Sequence, residues 1–378
     1  MLTRCKKCLI PSTRPEQVFD AKGICNACLT HEKKKSIDWS DREKTFLKIV
    51  NEHKSTSNWD CIIPSSGGKD SYWQALKIRE LGLKPLLVTA TTCHLSEVGR
   101  KNLDNLKKIG FDTIEISPNV EIRKKLNKLC LELVGDISWP EHISIFTIPA
   151  QIALKFQIPL IVWGENPQFE YGGPERKNAD IMDRKWLEEF GGLLGLRKED
   201  LINHYNFSNK DLLLYTYPQD QELSKAKIKG VFLGYYFNWN NYNNYKVAEK
   251  NGFTPFHKPI EGGYYSFEKI DNLQHGIHDY FKYLKYGFGR ASDQLSFMIR
   301  NKYIDRKKAL EILKSTEGKF PKSYLHINTE KILSRIGISS KNFIKICDQF
   351  TNKKIFACNN NNEIIKDSEG DLILKEKL

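Results

Sequence analysis

No run in the chain approaches the roughly 18 consecutive apolar residues that a membrane helix requires. The N-terminus is polar and carries cysteines, unlike a signal peptide. Both absences predict a soluble, cytoplasmic protein with no membrane partner. Two common phosphate motifs are missing as well. A Walker A loop, G-x-x-x-x-G-K-[ST], fails because Asp70 follows Lys69 and Ile63 stands where its first glycine belongs. No G-x-G-x-x-G opens a helix, which removes the Rossmann fingerprint. No periodicity points to internal repeats.

What is present centres on Ser65-Ser66-Gly67-Gly68-Lys69-Asp70-Ser71. It follows the apolar run Cys61-Ile62-Ile63-Pro64 and precedes a helical pattern, Tyr72–Leu81. A strand feeding a small-residue loop that opens a helix suits an anion. Glycines let backbone N–H groups approach phosphate oxygens, and the helix N-terminus adds a favourable dipole. A plain Gly-rich turn capped by Asp70 or Ser71 is the structural alternative.

The chain has 378 residues, 40% hydrophobic and 11% aromatic, enough for a sizeable core and for two or three units. Its nine cysteines are an odd number, and four form two C-x-x-C pairs, Cys5/Cys8 and Cys25/Cys28. The sixteen residues between the pairs match a Cys₄ zinc site. Four thiolates leave no open position, so the expected zinc is structural and supplies folding free energy to a stretch too short for its own core. The net charge of +13 is spread along the chain beside glutamates, which favours a solvated lysine-rich surface over a nucleic-acid stripe.

A charged amphipathic helix is predicted over residues 36–54. Strands are then expected near Asp60–Pro64, Pro85–Ala90, Thr113–Ser117 and Leu160–Gly164. Helices fall between them near Asp70–Leu81, Glu97–Ile109, Val120–Leu133 and Ile148–Phe156. Such alternation predicts an α/β fold with a parallel sheet covered on both faces and ligands at the carboxyl ends of its strands. Four segments then meet at one crevice: the loop, Thr91–His94, Ser117–Asn119 and Trp163–Asn166. Glu165 and Asn166 would face a bound nucleotide there, or else serve as a turn and helix cap. A Gly-rich, charged segment runs on to about Asn209. Val231–Phe237 reads as one more strand, and the Asn/Tyr/Trp-rich stretch after it fits a sugar-facing rim or an aromatic core equally well. Beyond Gly262-Gly263 the chain turns helical, at Ile277–Tyr286, Ser292–Arg300, Arg306–Lys314 and Thr329–Ile336. The tail reads as turns with short strands or a frayed end. The expected units are 1–50, a zinc-binding knuckle with a linker helix; 51–260, the α/β nucleotide domain; and 261–378, a mainly helical extension.

The order S-G-G-x-D-S resembles the pyrophosphate loop (PP-loop) of ATP pyrophosphatases. Joined to the Cys₄ knuckle, it is similar to the N-acetyl sugar amidotransferases of bacterial surface-glycan pathways. The likeness extends through Glu97–Leu106, Gly164–Asn166, Leu233–Trp239, Tyr286–Asp293 and Ile299–Arg306. Family members commonly carry a glycine near Lys302, and this chain departs there.

The resemblance implies an adenine-nucleotide α-hydrolase-like fold and conversion of a sugar acetamido group to an acetamidino group. ATP, with magnesium, would adenylate the amide carbonyl oxygen and release pyrophosphate, and ammonia would displace AMP. Ser65, Ser66, Gly67, Gly68 and Ser71 would wrap the phosphates, with Lys69 adding charge and Asp70 holding magnesium or the loop. Thr89 and Gly164 complete the nucleotide set. Glu165 and Asn166 would position the sugar amide or the metal. Arg100, Asn102, Tyr235, Trp239, Arg290, Asp293 and Arg300 are the further substrate candidates, the arginines meeting an anionic group. No glutaminase signature is found: Leu2 follows Met1, and none of Cys61, Cys93, Cys130, Cys347 and Cys358 is a Gly-flanked cysteine with a downstream histidine. A separate ammonia-supplying subunit is therefore the expected partner. Two other readings stand beside this one. A tRNA thiolase also couples zinc knuckles to a PP-loop but carries catalytic cysteine pairs near the nucleotide, where Cys93 and Cys130 are single. A zinc-ribbon nucleic-acid adaptor would need a vestigial loop, and this loop keeps every polar group.

Overall fold

A computed structural model describes residues 2–173 and 179–375. At its centre five parallel strands form one sheet: β1 (Cys61–Pro64), β2 (Pro85–Ala90), β3 (Asp112–Ile116), β4 (Leu160–Trp163) and β5 (Lys229–Phe232), in the order β3-β2-β1-β4-β5. The central strands β1, β2 and β4 are mostly apolar because both faces are covered, while edge strand β3 carries Asp112, Thr113 and Glu115. Cys61, Ile63, Leu87, Leu160 and Val162 enter one core, while Ile62, Leu86, Val88, Ile161 and Trp163 enter the other. Ile62 pairs with Leu86 on one side and Ile161 on the other, so the chain winds outward from β1 in both directions. A crevice must open where the winding reverses, above the carboxyl ends of β1 and β4.

Ahead of the sheet lie α1 (Asn26–Lys33) and α2 (Trp39–Glu52), the latter capped by Asp38. α3 (Lys69–Glu80) and α4 (Glu97–Lys108) follow β1 and β2; α5 (Val120–Val134) and α6 (Trp139–Phe156) follow β3. α6 begins nine residues before the predicted start at Ile148, with Pro140 in its first turn, where a missing N–H is harmless. After β4 come α7 (Pro167–Tyr171), α8 (Arg184–Phe190), α9 (Lys198–Tyr205) and α10 (Asp220–Lys225). Part of the expected Gly-rich segment, residues 174–178, lies outside the described residues.

The expected strand Val231–Phe237 is corrected. β5 ends at Phe232, and Leu233–Tyr236 turn into the short helix α11. Here the chain presses against the β4–α7 connection: Gly234 N–H donates to the Gly164 carbonyl at 3.0 Å, and a Cβ on Gly234 would lie 2.8 Å from the Asn166 nitrogen. The Asn-rich stretch is likewise a helix, α12 (Asn241–Lys250), because Asn240 accepts from the Tyr242 and Asn243 amides.

The C-terminal part is helical as expected, with α13 (His275–Tyr286), α14 (Arg290–Arg300), α15 (Arg306–Thr316), α16 (Thr329–Ser334) and α17 (Ser340–Phe350). The sequence pattern had not marked α17. The tail forms isolated bridges, Phe356–Leu374, Cys358–Ile364 and Lys366–Leu372. The largest apolar core draws on both sides of the expected boundary at 260, from Phe46 through Tyr72 and Val162 to Phe281 and Leu372. No described helix is long and apolar enough to cross a membrane.

Candidate active site

The Ser65–Ser71 loop lies where the topology puts the crevice. The Ser65 amide continues the ladder to the Val88 carbonyl at 2.9 Å, and the chain then turns away from the sheet. Gly67 takes φ +75° and packs on α4, where a Cβ would stand 2.8 Å from Leu103 Cγ. Serine hydroxyls hold the loop's shape. Ser71 Oγ accepts from the Ser66 amide at 3.2 Å, Ser65 Oγ from Gly67 at 3.3 Å and Ser66 Oγ from Gly68 at 3.3 Å. These bonds hold the turn at the start of α3, the end of a helix that favours an anion.

Above the loop is a cleft of about 340 Å³. Ser65, Ser66, Asp70, Ser71 and Thr89 line it together with Trp163, Gly164 and Glu165 at the end of β4. Thr91 and Thr92 also line it, whereas Ser117–Asn119 do not; Asn119 instead caps α5. Burial first, and then the neighbouring Asp70 carboxylate, push the Glu165 carboxyl up to about 7.

Asn166 takes the helix-cap alternative. Its Oδ1 accepts from the Gln168 and Phe169 amides at 3.0 and 3.3 Å, and its Nδ2 donates to the Ala179 carbonyl at 2.5 Å. The side chain is consumed in capping α7, so Asn166 fixes the backbone beside Glu165 rather than touching a ligand.

Lys69 points away from the cleft, into the protein. Its Nζ lies 2.6 Å from Asp70 Oδ2 and 3.2 Å from Glu268 Oε1. Burial opposes the charge, but the Asp70 and Glu268 carboxylates outweigh it and hold the ammonium above its ordinary range. Glu268 also accepts from Gln294 Nε2 at 2.8 Å, and Asp70 Oδ1 from Asn244 Nδ2 at 3.0 Å. Glu268, Gln294 and Asn244 all follow β5, and no motif marks them. Their only sequence trace is one acid at the end of the aromatic run Tyr264–Phe267. The Asp70 carboxylate, which lines the cleft, is a hard oxygen donor of the kind magnesium takes.

The substrate candidates separate. Arg290 is held by Asp279 at 3.2 Å and lines another cavity, of about 590 Å³, within the C-terminal part. Asp293 pairs with Arg14 and, at 2.6 Å, with Lys282. Both adjoin the site electrostatically. The Tyr171 phenol is raised well above its ordinary range, first by the Glu165 charge and then by burial, with Arg290 acting against them.

The remaining candidates have structural partners and do not line the cleft. Arg100 pairs with Asp104 at 2.8 Å and Glu115 at 2.6 Å. Asn102 is buried and exchanges hydrogen bonds with the Thr254 backbone at 2.9 and 2.8 Å. Tyr235 lies under the Arg42 guanidinium, 3.7 Å from its ring centre. Trp239 is buried edge-on against Trp73. Arg300 donates to the Glu170 carbonyl at 2.8 Å and faces the thiols of the knuckle.

In the knuckle, Cys5, Cys8, Cys25 and Cys28 are buried with their sulfurs mutually within 4.8 Å. Cys5–Cys28 and Cys8–Cys25 Sγ separations are 3.9 and 3.6 Å. Tetrahedral zinc with Zn–S bonds of about 2.3 Å requires sulfurs about 3.8 Å apart, so the four fit zinc. Backbone amides of Lys7 and Cys25 point at Cys5 Sγ from 3.4 and 3.3 Å, as suits thiolate charge. Arg306 binds the Cys8 carbonyl at 3.1 Å and ties the knuckle to α15.

Comparison with known proteins adds one assignment. Residues 237–368 match a family model described as the C-terminal domain of LPS biosynthesis protein WbpG-like proteins. Among solved structures, a predicted subunit of tRNA methyltransferase from Methanocaldococcus jannaschii is 13% identical, covering 55% of this chain and 81% of that one with a TM-score of 0.29. Curated proteins give no match. The sheet order defines an α/β protein with a five-stranded parallel sheet, and its residues 237–368 are similar to the WbpG-like C-terminal domain.

Proposed function

We propose that the protein is an ATP-dependent amidotransferase of bacterial surface-glycan biosynthesis. It adenylates the acetamido carbonyl oxygen of an N-acetyl sugar, releases pyrophosphate, and replaces that oxygen with ammonia to give an acetamidino sugar. The observation that carries this reading is the Lys69–Glu268 contact of 3.2 Å, because it brings the WbpG-like domain into the PP-loop itself.

An amide carbonyl is a weak electrophile with a poor leaving group, and adenylation cures both faults. The loop amides and the Ser66 and Ser71 hydroxyls hold the β and γ phosphates against the start of α3. Magnesium, held by Asp70, would neutralise charge as pyrophosphate departs. Glu165, titrating near 7, accepts a proton from the nitrogen as ammonia adds to the imidate carbon. Apolar walls of the cleft, including Leu103, Phe146 and Phe232, keep water from the imidate. Ammonia comes from a separate glutaminase subunit, so the purified chain should release no glutamate from glutamine.

The thiolase reading loses support at the cysteines. Burial pushes the Cys93 thiol up to about 11 and the Cys130 thiol well above its ordinary range, which makes both weak nucleophiles.

ATP consumption tests the proposal: AMP plus pyrophosphate, dependent on an acetamido sugar and ammonium salts, is the expected outcome. ADP plus phosphate would sink it. Mass analysis for exchange of the carbonyl oxygen for an imino group would name the sugar.

A further inference from the structure

On the far side of α5 and α6 from the nucleotide loop's core, three side chains from separate elements converge. Asp136 follows Gly135, the left-handed residue that ends α5 at φ +60°. His142 lies in the first turns of α6, and His278 lies on α13. One ligand atom from each falls within 4.8 Å of the other two. His278 Nδ1 is 2.8 Å and His142 Nδ1 3.5 Å from the Asp136 carboxylate, and the rings meet edge to face at 4.9 Å. They border a cavity of about 450 Å³.

We propose that Asp136, His142 and His278 form a binding site for a divalent first-row transition metal, distinct from the Cys₄ knuckle. Hydrogen bonding within the protein leaves the cluster incomplete. Asp136 is 4% exposed, and its carboxylate is oriented by the Ser138 amide at 2.8 Å. His142 Nδ1 is buried with no hydrogen-bond partner, yet it faces that carboxylate. The Nδ1 atoms of both rings thus turn to the same carboxylate, from 2.8 and 3.5 Å. Nearby cations are engaged elsewhere. Lys282 is spent on Asp293 at 2.6 Å, Lys285 donates to the Val134 carbonyl at 2.6 Å, and Arg14 pairs with Asp293.

Two imidazoles and one carboxylate suit zinc, manganese, iron or cobalt better than magnesium or calcium, which prefer all-oxygen shells. Three protein ligands leave at least one coordination position open to the cavity. The metal would also pin α13 of the WbpG-like part to α5 and α6.

Metal stoichiometry on the full chain tests this. Zinc-loaded, desalted protein should hold two equivalents by elemental analysis. Asp136→Asn, His142→Ala and His278→Ala should each leave one, with the second equivalent bound at least about 100-fold more weakly in competition with a chelator. Cobalt substitution should show two spectra, one with intense thiolate charge transfer and one with only weak ligand-field bands, and the triad variants should remove the second. If a variant fails to fold, the wild-type stoichiometry and cobalt spectrum still decide. One equivalent in the wild type, lost with Cys8→Ser, would overturn the proposal. So would two equivalents retained in the triad variants.

Discussion

A carboxyl group that titrates near neutrality, set between a phosphate cradle and a charged interior, can change protonation within one turnover. Glu165 meets that description, and Glu165→Gln keeps its shape while removing the proton exchange. The variant should lose about 10²- to 10⁴-fold in kcat with ATP binding retained, read by steady-state kinetics beside nucleotide titration. Wild-type kcat/KM should rise with pH through an apparent pKa near 7, because the basic form of the free enzyme is required, and Glu165→Gln should flatten that limb. Stability should move the other way. A folded pKa above the ordinary 4.5 means the native state binds the proton more tightly, so stability falls as pH rises from about 4.5 through 7. Glu165→Gln should therefore melt higher than wild type at pH 8, with the gap closing towards pH 5. Lys302 makes a second case at this scale. It is exposed and takes φ +61°, a conformation that favours glycine, which accounts for the glycine common near this position in the resembling family. Lys302→Gly should raise the urea midpoint, by about 1 kcal/mol of strain relieved. Glu165 was legible in the sequence because an apolar strand ended beside it. The use of Asn166 was not, since an Asn after a strand looks the same whether it caps a helix or faces a ligand. Glu268 left no motif at all, because its role depends on a fold-back of about 200 residues to Lys69.

At the scale of elements, the β1–α3 turn concentrates the chemistry. Gly67→Ala would place a Cβ into Leu103 at a backbone angle that side chains avoid. Only the loop and its contact with α4 are disturbed, so the expected result is loss of nucleotide binding, read by titration with ATP, in a protein with unchanged circular dichroism. Retained ATP affinity in that variant would mean the loop amides do not hold the phosphates. The alternation of strands and helices was readable up to β4 for a physical reason. Strands buried on both faces are uniformly apolar, and polar helices punctuate them. The pattern failed past Phe232, where burial persists but the geometry changes: Leu233 and Tyr236 stay buried because they join the core around Phe46 of α2, not because the strand continues. α12 was hidden by its own cap residues, since asparagines that start a helix also resemble a rim of ligand-facing amides.

For the whole molecule, the question is how the Cys₄ knuckle relates to the Ser65–Ser71 loop. A chain of contacts joins them. Arg300 faces the knuckle thiols and donates to the Glu170 carbonyl, while Lys34, just past the knuckle helix, pairs with the Glu170 carboxylate at 2.8 Å and binds the Trp239 carbonyl at 2.9 Å. Glu170 belongs to α7, which Asn166 caps immediately after Glu165. The knuckle thus braces the segment that carries the titrating carboxyl, while the phosphate loop is held separately by Val88, Leu103 and Glu268. Stripping the Cys₄ metal, or Cys8→Ser, should therefore lower kcat at least tenfold and leave the ATP dissociation constant within a few-fold of wild type. The pH limb near 7 should also shift, because the backbone that sets the burial of Glu165 has loosened. Thermal unfolding measured alongside would fall by several degrees. Equal losses of kcat and ATP affinity would instead mean that the knuckle supports the fold as a whole and has no particular hold on Glu165.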